Sequence, residues 1–405
     1  MDEKTYFILG RQPALGFAEL ESIFGAISIR KVQPGIAEVN RSVSPELFQK
    51  LGGSMKMARL LNVTDSTDWI KIVNSILKKA GENAQLLPEG KLTIGLSVYG
   101  LRAHVRDINS AGIALKKAIR QVDPNRSIRI VPNKEPVMSS PQVIHNDLTG
   151  PNGWELVFIK DGGKTIIALT EAEQNIEAYG ARDQARPARD AKVGMLPPKL
   201  AQILVNIAVA DTKNNKSADK LAAADIMVLD PFCGTGVVLQ EALLMGYDTV
   251  GTDLEPRMIE YSTKNITWLR NSWKRATGYI RIEVGDATHH QWPKTITHVA
   301  GETYLGRPMI KIPAYQEFDR IVKEVDDLHY KFFKNIAKQI PAGTRLCMAV
   351  PAWKTQNGFT HLPVLEKLSN MGYNHVEFVH AAKNDLIYHR TEQIVARELV
   401  ILVKQ

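Results

Sequence analysis

Ile226-Met227-Val228-Leu229-Asp230-Pro231-Phe232-Cys233-Gly234-Thr235-Gly236 decides the fold of this 405-residue chain. Four consecutive apolar residues read as a strand buried on both faces, and the acid, the Gly-x-Gly turn and the apolar run from Val237 predict a helix directly after it. Glycines separated by one residue let the backbone turn tightly and approach a ligand without a Cβ in the way. Position 239 is Leu rather than a third glycine, and no Gly-Lys-Ser/Thr follows. A pyrophosphate cradle is therefore disfavoured, and a nucleoside ligand without phosphates fits better.

The same rhythm repeats outward from this turn. Helix patterns over 198–210, 236–245 and 256–270 alternate with strand patterns over 226–230, 248–252 and 279–284, as in the βαβ units of a doubly wound sheet. The second strand closes on Asp253, twenty-three residues after Asp230. A carboxylate there accepts ribose hydroxyl protons in such folds. The third closes on Gly285-Asp286-Ala287, where Asp286 is placed to accept from an exocyclic adenine amine. Three strand ends in this order form a coherent adenosine site.

Composition bounds the rest. With 44% hydrophobic and 23% charged residues the chain buries real cores, which excludes a disordered polymer or a small disulfide scaffold. Cys233 and Cys347 include no Cys-x-x-Cys pair, and the adjacent His289-His290 lacks the helical spacing of ligands on one face, so no metal site is expected. An acidic start, Met1-Asp2-Glu3, and no run of about 18 apolar residues point to a soluble cytoplasmic protein. The formal net charge is +8, and 27 basic against 21 acidic residues stand in the first two hundred. Basic excess at one end suits a polyanion-binding front attached to a more neutral module.

That front reads as short strand and helix patterns: a strand over Thr5 to Leu9, a helix over Pro13 to Phe24, and further elements to residue 65. Beyond it come a strand from Lys91 to Val98 and an amphipathic helix over Ile108 to Gln121, with Ile113, Leu115 and Ile119 as its apolar positions. A helix capped by Ser139-Ser140 follows, then a hairpin about Asp161-Gly162-Gly163. Arg102, Arg106, Lys116, Lys117, Arg120 and Arg126 face only Asp107 and Asp123 in this region. Tyr179 to Asp190 shows little apolar periodicity and reads as an exposed connection.

The chain resembles known proteins at these residues. Asp230, Pro231, Phe232, Cys233, Gly234, Thr235 and Gly236, with Asp253-Leu254 and Asp286-Ala287, look like the S-adenosylmethionine motifs of class I methyltransferases. Arg182-Asp183, Arg186-Pro187-Ala188-Arg189-Asp190 and Gly194-Met195-Leu196-Pro197-Pro198 resemble the entry to the catalytic domain of THUMP-domain RNA methyltransferases, most of all the tRNA guanosine-10 N2-methyltransferases. The resemblance implies a ferredoxin-like domain over 1–65, a THUMP domain over 66–172, a linker over 173–196 and a Rossmann-like catalytic domain over 197–405. It implies S-adenosylmethionine as cofactor, held also by Leu196 and Pro197, and tRNA as partner. Arg182, Arg186 and Arg189 are either RNA contacts or interdomain salt bridges. The need for a small activating subunit, such as relatives use, stays open.

One departure stands out. The family carries Asp/Asn-Pro-Pro-Tyr after the fourth strand, whereas the matching stretch here is Glu302-Thr303-Tyr304-Leu305-Gly306-Arg307-Pro308. Gly306 and Arg307 match the family's following residues. By resemblance Glu302 orients the target amine and takes its proton, and Tyr304 stacks on the base. The rival expectations are a tRNA-binding protein that keeps the cofactor pocket without catalysis, and a DNA amine methyltransferase.

Overall fold

The computed structural model describes residues 4–83, 89–190, 195–210, 225–309 and 311–405. Met1 to Glu3 and Gly194, used above, lie outside the described residues. The chain forms two compact units, one of Met1–Pro13, Ile27–Gln49 and Ser54–Asn175, the other of Ala14–Ala26, Lys50–Gly53 and Ile176–Gln405.

The chain begins with β1 (Thr5–Leu9), α1 (Pro13–Phe24), β2 (Ile29–Gln33), β3 (Ile36–Val39), α2 (Pro45–Phe48) and β4 (Ser54–Thr64). Then come α3 (Trp69–Asn83), β5 (Leu92–Tyr99), α4 (Val105–Val122), β6 (Ile128–Ile130), α5 (Ser140–His145), β7 (Gly153–Asp161) and β8 (Lys164–Glu173). The eight strands form one sheet in the order β2-β3-β1-β4-β8-β7-β5-β6. Residue 65 therefore does not separate two sheets, because β4 pairs antiparallel with β8 from Lys56↔Glu173 to Thr64↔Thr165. Alternate residues Leu92, Ile94, Leu96 and Val98 of β5 meet Ile72 and Ile76 of α3 and Ile108, Ala111, Leu115 and Ile119 of α4 in one core. The buried stripe of α4 thus follows helical spacing, and Ile113 is exposed instead. A capping box of Ser139 with Gln142 opens α5.

The second unit holds α6 (Ile176–Gln184), α7 (Pro198–Val209), β9 (Met227–Asp230), α8 (Val237–Met245), β10 (Asp248–Asp253), α9 (Pro256–Ser272), β11 (Ile280–Val284) and β12 (His298–Glu302). It continues with α10 (Tyr315–Ile336), β13 (Arg345–Thr355), β14 (Gly358–Thr360), β15 (Tyr373–His375), β16 (Ile387–Tyr388) and β17 (Val395–Lys404). The main path of its sheet runs β11-β10-β9-β12-β13-β17-β15, with β14 on β13 and β16 on β17. β9 to β13 are parallel, and β17 is antiparallel to β13. This is a doubly wound order with an antiparallel strand inserted near one edge, and it places the carboxyl ends of β9, β10, β11 and β12 together.

α1 belongs to this second unit, and Glu19 is one of the residues that tie it there. Its carboxylate accepts the N–H groups of Gly52 and Gly53 at 2.9 and 2.8 Å and the amide of Asn206 on α7 at 2.7 Å. Burial pushes its pKa up to about 7. The stretch read as an exposed linker is also part of this unit. α6 occupies much of it, and Tyr179, Arg182, Arg186, Ala188 and Asp190 are buried. Its charges defeated the apolar reading because their partners are distant in sequence: Arg182 pairs with Glu241 of α8 at 2.6 Å. No helix among the described residues is long and apolar enough to cross a membrane.

Candidate active site

The turn after β9 is tied to β10. Cys233 N–H donates to Thr252 O at 2.8 Å, and the Thr252 hydroxyl donates to Pro231 O at 3.2 Å. Gly234 and Gly236 have φ of 50° and 80°, in the left-handed region. A Cβ on Gly236 would lie 2.3 Å from Ser262 Oγ, so this position needs glycine for space as well as for conformation. Phe232 packs edge-on against Phe332 of α10, with ring centres 5.0 Å apart. Cys233 is buried, and burial raises its thiol well above the ordinary range, which suits packing and not nucleophilic chemistry.

Three carboxylates stand at the strand ends in different environments. Asp230 is buried, and desolvation raises its pKa well above the ordinary value against one hydrogen bond from Phe232 N–H at 3.1 Å. Asp253 bridges two backbone segments: Oδ2 accepts from Gly234 N–H at 2.9 Å and Oδ1 from Glu255 N–H at 3.0 Å. Burial still raises its pKa. For Asp286 desolvation acts upward, but the amide and hydroxyl of Thr288, at 2.8 and 2.7 Å, prevail and lower it.

These groups line one cavity of about 420 Å³. It brings together Leu196, Asp230 to Thr235, Asp253, Leu254, Asp286, Ala287, Glu302 and Tyr304. Pro197, at the N-cap of α7, Gly236, Gly306 and Arg307 are not among its lining residues. Sequence reasoning missed Met195, Val238, Met258, Thr288, Thr303 and Leu328, which also line it. Met258 carried a signal, being apolar in the first turn of the helix after Asp253; Leu328, in the middle of α10, carried none.

Glu302 ends β12, and its carboxylate Oε1 accepts from Arg397 Nε on β17. Burial raises the Glu302 pKa and Arg397 opposes the rise. Thr303 is buried, while Tyr304 is 42% exposed. Gly306 has a φ of 85° and Arg307 is exposed.

The basic residues divide. Arg102, Arg106, Lys117, Arg120 and Arg189 are exposed and Lys116 is half-buried. Arg106, Ile113, Lys117 and Arg120 recur at steps of seven, four and three and share the outer face of α4. Arg126, Arg182 and Arg186 are buried and do not offer their charge at the surface. Arg182 is neutralised by Glu241, Arg126 lies 3.9 Å from Asp123, and Arg186 donates to Met195 Sδ at 3.0 Å. Asp190 pairs with Arg257 at 3.0 Å, inside the unit.

No family model matches the chain. It is 40% identical over 86 residues to the tRNA (guanine(10)-N2)-dimethyltransferase of Methanothermobacter thermautotrophicus, covering 21% of this chain and 22% of that protein. It is 27% identical over 157 residues to the protein of the same name from Pyrococcus abyssi, covering 39% of each. The matches thus span between about a fifth and two fifths of these curated relatives. The crystal structure of TrmN from Thermus thermophilus superimposes with a TM-score of 0.51 at 14% identity, covering 100% of both chains. The second unit has the Rossmann-like fold of class I methyltransferases, and the chain is similar over part of its length to proteins named tRNA (guanine(10)-N2)-dimethyltransferases.

Proposed function

We propose that this protein transfers a methyl group from S-adenosylmethionine to the exocyclic N2 amine of a guanosine in tRNA, the position-10 nucleoside named in its relatives. The observation that carries the reading is the convergence of the glycine turn, Asp253, Asp286 and Glu302 on one cavity. Its volume falls within the range of small-molecule sites, about 300–1,000 Å³. The donor set suits the cofactor. Each Asp253 oxygen is engaged by one backbone N–H and keeps a lone pair for a ribose hydroxyl. Asp286 suits an amine donor, and Leu196, Leu254, Met258 and Ala287 supply apolar walls.

When bound, S-adenosylmethionine supplies an electrophilic methyl group. Glu302 accepts the proton that the amine loses on alkylation, and it stands at the end of the strand beside Asp230. Tyr304, partly exposed at the cavity, stacks on the target base, an interaction worth about 1–3 kcal/mol. We read the first unit as the tRNA-gripping part, with ferredoxin-like and THUMP elements sharing its single sheet. The outer face of α4 is its phosphate-binding stripe, and the reaction belongs in the cytosol.

The test is incubation of the purified protein with unmodified tRNA and methyl-labelled cofactor, followed by nucleoside mass spectrometry. N2-methylated guanosine is the expected product. Persistent absence of transfer with tRNA still bound would point to a non-catalytic binder, and preferential labelling of DNA would point to a DNA amine methyltransferase.

A further inference from the structure

Thr303 and Tyr304, the two residues directly after Glu302, are not prolines, yet side chains from two distant elements hold this strand end. On one side Thr303 N–H donates to Ala349 O at 2.9 Å, and its hydroxyl meets His329 Nε2 of α10 at 2.6 Å. His329 is fully buried, and its Nδ1 donates to Val325 O at 2.7 Å. On the other side Arg397 reaches Glu302 from β17, across β13, where Arg397 stands opposite Pro351 and Glu302 opposite Ala349. Arg397 is 5% exposed, so it is a buried cation at the edge of the cavity. Its Nε binds Oε1, and this is the sole hydrogen bond of the Glu302 side chain among the described residues. Oε2 is left without a protein partner in a residue that lines the cavity.

We infer that Arg397 is a positioning residue of the reaction: by binding Oε1 it fixes the Glu302 carboxylate and leaves Oε2 to receive the proton of the reacting amine. The inference rests on the reading of Glu302 as proton acceptor given above. An arginine suits the task because its charge is permanent and its planar fork defines a direction, which a flexible lysine does not. The proton passes from nitrogen to Oε2 as the new carbon–nitrogen bond forms and the methyl–sulfur bond breaks, its electron pair staying on the departing thioether sulfur, and Arg397 itself exchanges no proton.

The charged and titratable groups facing Glu302 are Arg397 from β17 and Asp230 from β9, with His329 of α10 behind Thr303. Burial raises the Glu302 pKa, and loss of Arg397 raises it further. Activity requires ionised Glu302, so the acid limb of the kcat/KM profile moves to higher pH in Arg397→Gln. The kcat falls by up to about 100-fold, the lower end of what a positioned base contributes. KM for tRNA stays near the wild-type value, and Arg397→Lys recovers part of kcat.

A second measurement does not depend on turnover. An unfolded chain ionises Glu302 freely, so the Tm deficit of Arg397→Gln grows from pH 5 to pH 8 and vanishes in a Glu302→Gln background. An unmoved acid limb, or kcat and KM changing together without rescue by lysine, overturns the inference. So does a Tm deficit that persists in the Glu302→Gln background. If the wild type transfers no methyl group, the proposed function falls, and the stability cycle then decides alone whether Arg397 holds Glu302.

Discussion

Replacing Asp253 with Asn keeps the shape of the side chain and removes its charge and one acceptor oxygen. In the structure both oxygens are engaged, one by Gly234 N–H and the other by Glu255 N–H. The amide NH2 must then face one of these N–H groups, donor against donor, at a cost of about 1–3 kcal/mol to the fold. The larger effect falls on the ligand. A ribose hydroxyl bound by an ionised carboxylate contributes about 1.5–3 kcal/mol; one such bond is lost and the other drops to a neutral bond of about 0.5–1.5 kcal/mol, a total loss of about 2.5–4.5 kcal/mol. At 1.4 kcal/mol per decade this weakens the cofactor by about 10² to 10³-fold. Calorimetric titration of wild type and Asp253→Asn with S-adenosylmethionine and S-adenosylhomocysteine measures it, with thermal unfolding run in parallel. An affinity within about threefold of wild type in a folded variant would refute the assignment, since a single charged hydrogen bond already exceeds that.

Three further outcomes follow from the geometry. Changing Arg106, Lys117 and Arg120 to Gln should weaken tRNA binding and reduce the slope of log K against log salt by about 0.7–0.9 for each phosphate no longer neutralised, with cofactor affinity unchanged. Arg182→Ala leaves Glu241 buried and unpaired, so chemical denaturation should report a loss of about 3–5 kcal/mol. Arg182→Met with Glu241→Leu should recover most of it, which would not happen if Arg182 served RNA binding alone. His329 is buried neutral, with its pKa lowered from 6.5 to about 4. The unfolded chain therefore takes up a proton that the folded one refuses, and stability falls as pH drops from about 6.5 to 4. The shift corresponds to about 3 kcal/mol, which denaturation of wild type and His329→Gln at pH 7 and pH 4 compares directly.

Local patterns made the nucleotide-binding half readable. Strand runs such as Met227 to Asp230, helices of ordinary length and acids at successive strand ends are short-range features, so β9 to β11 and α7 to α9 lie within a residue or two of their expected places. The α/β class and its Rossmann-like second part were legible for the same reason. Charged segments misled where their partners were remote. Arg182 and Arg186 look like surface residues in a window around them, and Glu241, fifty-nine residues on, is what lets Arg182 be buried. Ile113 does not join the stripe of α4: two residues before Leu115 it lies on the opposite side of the helix, so the 3.6-residue period itself sets it apart from Ile108, Ala111, Leu115 and Ile119.

From the residues alone came the order of the strands along the chain, the glycine turn with its left-handed requirement, and the acids Asp230, Asp253 and Asp286, because each depends on neighbours within a few positions. Only the tertiary structure decided that β4 and β8 join the front of the chain into one sheet and that Glu19 helps to tie α1 into the other unit. It alone also brought Arg397 to Glu302 across ninety-five residues. Pairing between strands and between buried charges depends on which surfaces meet after folding, and a one-dimensional pattern does not carry that distance.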